Sequence, residues 1–147
     1  MKTIALRFTD KFAPSAGTIK AHEDIIKTKG YVWYGKMGNR ISKSIAEEII
    51  KNESPRFLLI HSGAQDRYWM YFKEIGFETP SFEDFPTYYH TISDRFKTWF
   101  KISDIRKAEK NVMSNCRVIS SGALLSNASR HSMSPYFIIE YTPDNME

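Results

Sequence analysis

At 147 residues, with 41% hydrophobic and 26% charged side chains, the chain has the size and composition of one folded domain, which excludes a long disordered tail and any need for metal or disulfide staples. A formal charge of +4 is a mild bias toward polyanions and excludes the charge density of a histone-like protein. The aromatic fraction of 14% is more informative, because π faces and cations together grip bases and nucleotides, although any single ring is more often part of a core.

The one cysteine, Cys116, cannot form an internal disulfide, and neither a CxxC pair nor a Cys/His cluster of zinc spacing occurs, which points to a reducing compartment. The opening MKTIALRFTDKF lacks the apolar centre of a signal peptide. No later run approaches the roughly 20 apolar residues of a membrane span. The expectation is a soluble cytoplasmic protein with no membrane partner.

Taken in chain order, residues 3–8 alternate Ile4, Leu6 and Phe8 with Ala5 and Arg7 and predict a first strand. A helix follows, with Thr18 as its cap, a stripe of Ile19, His22, Ile25 and Ile26, and Gly30 as its stop. Residues 31–40, YVWYGKMGNR, read as a short strand running into a glycine-bearing loop. Ser44 and Glu47 stand in capping-box spacing ahead of Ile45, Ile49 and Ile50, predicting a second helix over about 44–52. FLLI at 57–60 is a buried strand that delivers His61, Ser62 and Gly63 at its end, and 67–75 is an aromatic strand. Residues 76–92, with Pro80, Pro86 and the pair Tyr88-Tyr89, form a long ordered loop.

In RFKTWFKI, 95–102, the alternation puts Phe96, Thr98, Phe100 and Ile102 on one face and Arg95, Lys97, Trp99 and Lys101 on the other. Ser103 is placed as the cap of a short polar helix, DIRKAEKN. CRVIS, 116–120, is a short strand, 121–129 a turn with a short helix, and PYFIIEY, 135–141, the last strand. With no repeat, low-complexity stretch or linker, one domain over 1–147 is expected. The fold class is α+β, a mixed, strongly curved sheet or small β-barrel with short flanking helices.

Enzyme signatures are missing: GxxxxGKS/T, GxGxxG, HExxH and GxSxG do not occur. His61-Ser62, His90-Thr91 and His131-Ser132 are adjacent pairs. Two-histidine phosphoesterases instead need one residue between histidine and hydroxyl, so that alternate strand positions aim both groups inward. Nothing beside Cys116 marks it as an activated nucleophile, and Glu83 and Asp84 read as solvated. No catalytic residue, metal ligand or cofactor is therefore expected.

Binding residues are better marked. Trp33 and Tyr34 precede Gly35-Lys36, setting flat rings beside a point where backbone can approach a ligand and a cation can meet phosphate; Trp33 is equally well a core ring. Trp99 between Lys97 and Lys101 reads as an exposed stacking platform on a basic strand face. Arg130 and Ser132, on either side of His131, offer donors suited to phosphate or a base edge.

TIALRF, VWYGK, FLLIHSG, RYWMYFKEI, TWFKISDI and SRHSMSPYFI stand in an order similar to that of the EVE domain of the PUA-like superfamily, related to YTH domains. Such domains form a small β-barrel that holds a flipped, modified base in an aromatic pocket. Where the family usually has a Lys/Val-Gly-Asp turn before the His-Ser strand, this chain has Asn52-Glu53-Ser54-Pro55. The resemblance implies a pocket from Trp33, Tyr34, His61, Ser62 and Trp69, with Lys36, Lys97, Lys101 and Arg130 as cations, and it requires Trp33, His61 and Ser62 to converge on one concavity. It also implies a sensor role in a prokaryotic restriction or defence system, with a partner protein of that system. The leading reading is thus a module that binds DNA, RNA or a free nucleotide. The alternatives are a protein-interaction module with aromatic anchors and, behind it, an unrecognised hydrolase that depends on His61.

Overall fold

The computed structural model describes residues 1–8, 10–61 and 66–143. Ten elements of regular structure follow one another: β1 (Lys2–Phe8), α1 (Thr18–Lys29), β2 (Val32–Met37), α2 (Lys43–Ile50), β3 (Arg56–His61), β4 (Tyr68–Gly76), β5 (Phe96–Lys107), β6 (Cys116–Val118), α3 (Leu125–His131) and β7 (Tyr136–Tyr141). Short 3-10 turns punctuate the connections. The strands make one mixed sheet in the order β2-β5-β4-β3-β1-β7-β6. Only β1 and β3 run parallel among these pairs, as the long crossover through α1, β2 and α2 requires. The α+β class and the mixed sheet expected from the sequence are therefore observed.

How far the sheet curls can be read from β2 and β7, five positions apart in the strand order. In a flat sheet they would lie roughly 24 Å from each other. Yet the Lys36 ammonium on β2 sits 4.5 Å from the ring centroid of Tyr136 on β7. Curling brings β2 back beside β1 and leaves a seam between them.

Inside the curl, Ile4, Leu6, Val32, Tyr34, Phe57, Leu59, Met70, Phe72, Phe100 and Ile102 form the main core, sealed by Ile41 and by Ala46 and Ile49 of α2. The alternate residues of β1 and β3, Ala5, Leu58 and Ile60, face a second core with Val112, Cys116, Leu125 and Phe137. Both faces of β3 are thus covered, which is why FLLI reads as an unbroken apolar run. No helix among the described residues is long and apolar enough to cross a membrane.

Several local expectations are corrected. α1 is preceded by Gly17, at φ +94°, and not capped by Thr18; Gly17 has no side chain to cap with, and Asp10 Oδ1 accepts from the Thr18 N–H at 2.9 Å instead. Ser42, not Ser44, caps α2 by accepting from the Ile45 N–H. The polar helix expected after Ser103 does not form, because β5 continues to Lys107, with Asp104–Lys107 paired to Tyr71–Tyr68. A register shift lies here: Phe72 pairs with Ile102 and Tyr71 with Asp104. The extra residue lets Ile102 and Ile105, three apart, reach the same core. That spacing imitates a helix.

A second shift, with Lys36 opposite Thr98 and Met37 opposite Phe96, moves Phe96 to the side of Trp99. The two join Phe85, Tyr89 and Ile92 in a third cluster. Trp99 is fully buried, so the exposed platform expected of it is not there. The physical cause is the 76–92 loop, which folds back over β5 and covers the indole with its own rings.

Candidate binding pocket at the seam

The seam between β1 and β2 opens into a pocket of about 370 Å³, within the range of ligand sites, roughly 300–1,000 Å³. Its walls are mostly aromatic: Tyr34 from β2, Phe8 from β1, Tyr88 and Tyr89 from the 3-10 turn before β5, and Phe96. Of the five large apolar side chains exposed among the described residues, Phe12, Met37 and Met133 stand at this pocket.

Gly35 is fixed here by packing. A Cβ built on it would lie 2.5 Å from Phe96 Cγ and 2.7 Å from Cδ2, so only glycine lets the Phe96 ring rest on the strand. Tyr88 and Tyr89 pack edge to face, ring centroids 4.8 Å apart, and share the pocket wall with Gly35 and Thr18. Burial raises the phenols of Tyr34, Tyr88 and Tyr89 above the usual tyrosine range, so the walls are neutral hydroxyl-bearing rings. Behind them lies His22, fully buried on α1, with ring centroids 5.2 Å from Tyr34 and 5.4 Å from Tyr89.

Two cations belong to the wall, and neither pairs with a carboxylate among the described residues. The Lys36 ammonium donates to Asn39 O at 2.7 Å and Met37 O at 3.3 Å and covers the Tyr136 ring; burial lowers its pKa. The Arg7 guanidinium donates through Nη2 to Ser129 O at 2.6 Å and Ser132 O at 2.7 Å, and through Nε to Ser134 O at 3.0 Å. Carbonyls and rings satisfy the donors but leave the net charges uncancelled. In a low-dielectric wall such charge favours an anionic or strongly polar ligand.

Of the residues expected to bind, Tyr34, Gly35 and Lys36 line this pocket. Trp33, one position away on the strand, points to the other face, where it packs on the Trp99 cluster and against Gly76. His61 lies in an adjoining cavity of about 250 Å³ that shares Phe8 and Thr18 as a wall; its Nε2 is 3.6 Å from Asp10 Oδ2. Ser62 falls outside the described residues. Trp69 is buried in the second core, its Nε1 donating to Glu109 at 3.4 Å. The expected convergence of Trp33 with His61 on one concavity is therefore corrected: strand alternation sends Trp33 to the Trp99 cluster, away from Tyr34, while His61 lines the adjoining cavity. Trp69, expected in the same pocket, faces the opposite side of the sheet.

Lys97 is exposed on β5, and Lys101 is half-buried, its ammonium 4.5 Å from the Tyr31 ring centroid and 3.8 Å from Glu74. Arg130 is exposed in the last turn of α3, and Ser132 lines a separate groove. Sequence reasoning missed Arg7, Phe8, Phe12, Phe96 and Met133 as pocket residues. Tyr88-Tyr89 was visible as a pair without an assignment. The Cys116 thiol, buried in the second core, is pushed up to about 12 by that burial, so it is no nucleophile at neutral pH. Among the described residues no group of three or more His, Cys, Asp and Glu could hold a metal ion.

The fold is a curled mixed sheet with a ligand-sized aromatic pocket at its seam. The family model described as Pua-like matches residues 4–136, and the chain belongs to that family. PUA-like domains are generally RNA- or nucleic-acid-binding and typically act as binding modules rather than catalysts. No curated protein and no solved structure matches the chain significantly.

Proposed function

We propose that the seam pocket takes a base of a nucleic acid, DNA or RNA, or of a free nucleotide. One observation carries this reading: the aromatic walls enclose a ligand-sized space flanked by Arg7 and Lys36, two cations without carboxylate partners. Taking a base out of its stack costs a few kcal/mol. Stacking on aromatic rings returns about 1–3 kcal/mol per base, and a positive wall favours the phosphates on either side. Tyr34, Gly35 and Lys36 are the site residues of this reading, with His61 at its edge and the exposed Lys97 and Arg130 available to a longer chain.

An EVE-type reader of a flipped or modified base is the finer form of the proposal. The segment order and the aromatic walls support it, whereas a sensor role in a prokaryotic defence system rests on the resemblance alone. A protein partner is the second reading, favoured by the apolar rim of Phe12, Met37 and Met133.

Salt separates the two. Affinity for single strands should fall between about 50 and 200 mM salt, with a log–log slope near −0.7 for each phosphate neutralised. Lys36→Met, which keeps the stem and removes the charge, should weaken binding at least about tenfold and flatten that slope. Salt-independent binding of a peptide, with oligonucleotides and nucleotides inert, would replace the nucleic-acid reading by the protein one.

A further inference from the structure

The residues between α3 and β7 divide two concavities. Met133 and Pro135 line the aromatic pocket, whereas Ser132, Ser134 and Tyr136 line a second groove of about 560 Å³ on the other side. The alternation is that of extended backbone, which Ser132 adopts at φ −130° and ψ 137°. The short segment that leads into β7 is thus a ridge, apolar toward the pocket and hydroxyl-bearing toward the groove.

The ridge is pinned from below by the pocket cations. Arg7 donates its backbone N–H to Pro135 O at 2.9 Å and its guanidinium to Ser132 O and Ser134 O. Lys36 covers the ring of Tyr136. Across the groove, Ser120 and Ser121 add exposed hydroxyls beside the exposed Ile119. Lys2 also lines the groove, but its ammonium is 2.5 Å from Glu48, so the uncancelled charge comes from beneath the ridge. The Ser134 hydroxyl donates to Tyr136 O at 2.7 Å and Ser132 Oγ accepts from the Ser134 N–H at 3.2 Å, which leaves the Ser132 O–H and the exposed Ser120 and Ser121 to face the groove. Hydroxyls over such a field suit sugar and phosphate oxygens, which are positioned by Ser, Tyr, Arg and Lys groups.

Resting on the proposal that the pocket holds a base, we infer that the ligand is a single strand and not a free nucleotide. The strand crosses the 132–136 ridge with one base in the pocket and the sugar–phosphate of its neighbour in the serine-lined groove. A mononucleotide fills only the pocket and leaves the groove empty.

The test uses random-sequence hexamers of single-stranded DNA and RNA, the nucleoside 5′-monophosphates as a set, and charge changes of both signs at the exposed Ser120. Hexamers should bind at least about tenfold tighter than the best mononucleotide. Ser120→Glu should weaken hexamer binding several-fold and Ser120→Lys strengthen it, while mononucleotide binding stays unchanged in both. Equal affinity for hexamers and mononucleotides, or hexamer binding indifferent to the charge at position 120, overturns the inference and leaves the base pocket standing. If neither hexamers nor mononucleotides bind the unmodified protein, the pocket proposal itself falls, and the inference with it.

Discussion

Phe85 and Trp99 lie face to face, ring centroids 5.0 Å apart and planes inclined by 27°. A residue of the proline-bearing loop thereby buries the one tryptophan that strand alternation sends to the basic side of β5. Phe85→Ala should cost about 3–5 kcal/mol, as truncation of a buried aromatic does. It should also shift Trp99 fluorescence toward the red as water reaches the indole. The Trp99 N–H has no partner among the described residues, so Trp99→Phe should cost much less, since it removes an unsatisfied donor along with some volume. Denaturant unfolding of the two variants checks both. Equal losses would mean that the N–H is satisfied.

Gly35 and Phe96 make a second test, because a methyl on Gly35 would overlap the ring. Gly35→Ala should destabilise by about 1–3 kcal/mol through overpacking. Adding Phe96→Leu should recover part of that loss, giving a coupling energy of at least about 0.5 kcal/mol in a double-mutant cycle. Strict additivity would show that the strand shifts to accommodate the methyl. Both residues line the pocket, so ligand affinity should fall in Gly35→Ala even where the protein remains folded.

On the opposite side of the sheet, Glu109 accepts from the Tyr141 hydroxyl at 2.5 Å and from Trp69 Nε1 at 3.4 Å. Burial raises the Tyr141 phenol, with the Glu109 hydrogen bond adding to it, so the hydroxyl remains a donor. Glu109→Ala strands two donors of largely buried rings and should cost about 1–3 kcal/mol. In the Tyr141→Phe background the same change should cost less, because one of those donors is gone. Melting curves of the four proteins measure this, and ligand binding at the seam should not move.

How legible this molecule was depends on the range over which each feature is determined. TIALRF and FLLI declare their strands because each run is covered by neighbours within the same sheet, and Gly30 ends α1 because it takes the left-handed conformation, at φ +84°. The two register shifts in β5 were hidden, since an extra residue turns a period of two into a spacing of three, the one signal a helix also gives. Tyr34, Gly35 and Lys36 could be singled out locally. Their neighbours could not, because Arg7 and Phe8, Tyr88 and Tyr89, and Met133 meet only once the sheet has curled. The separation of Trp33 from Tyr34, by contrast, was available from alternation along β2 alone.

His22 supplies a prediction in pH. Its Nδ1 is 2.8 Å from Thr18 O; a carbonyl only accepts, so Nδ1 carries the proton, and Nε2 is a buried acceptor without a partner among the described residues. Burial lowers its pKa from 6.5 to about 4. The unfolded imidazole takes up a proton near its ordinary value and the folded one only near the lower value. Between them the unfolded state holds more protons, so stability falls as pH drops through that window and levels off below it. At full extent the loss is on the order of 3 kcal/mol. His22→Gln, which keeps a donor for Thr18 but does not titrate, should lose less stability between about pH 7 and pH 4.5, by on the order of 2–3 kcal/mol. Urea unfolding of both proteins at the two pH values measures the difference. Parallel losses would show that His22 is protonated in the folded state and that the rings of Tyr34 and Tyr89 have moved aside to admit its charge.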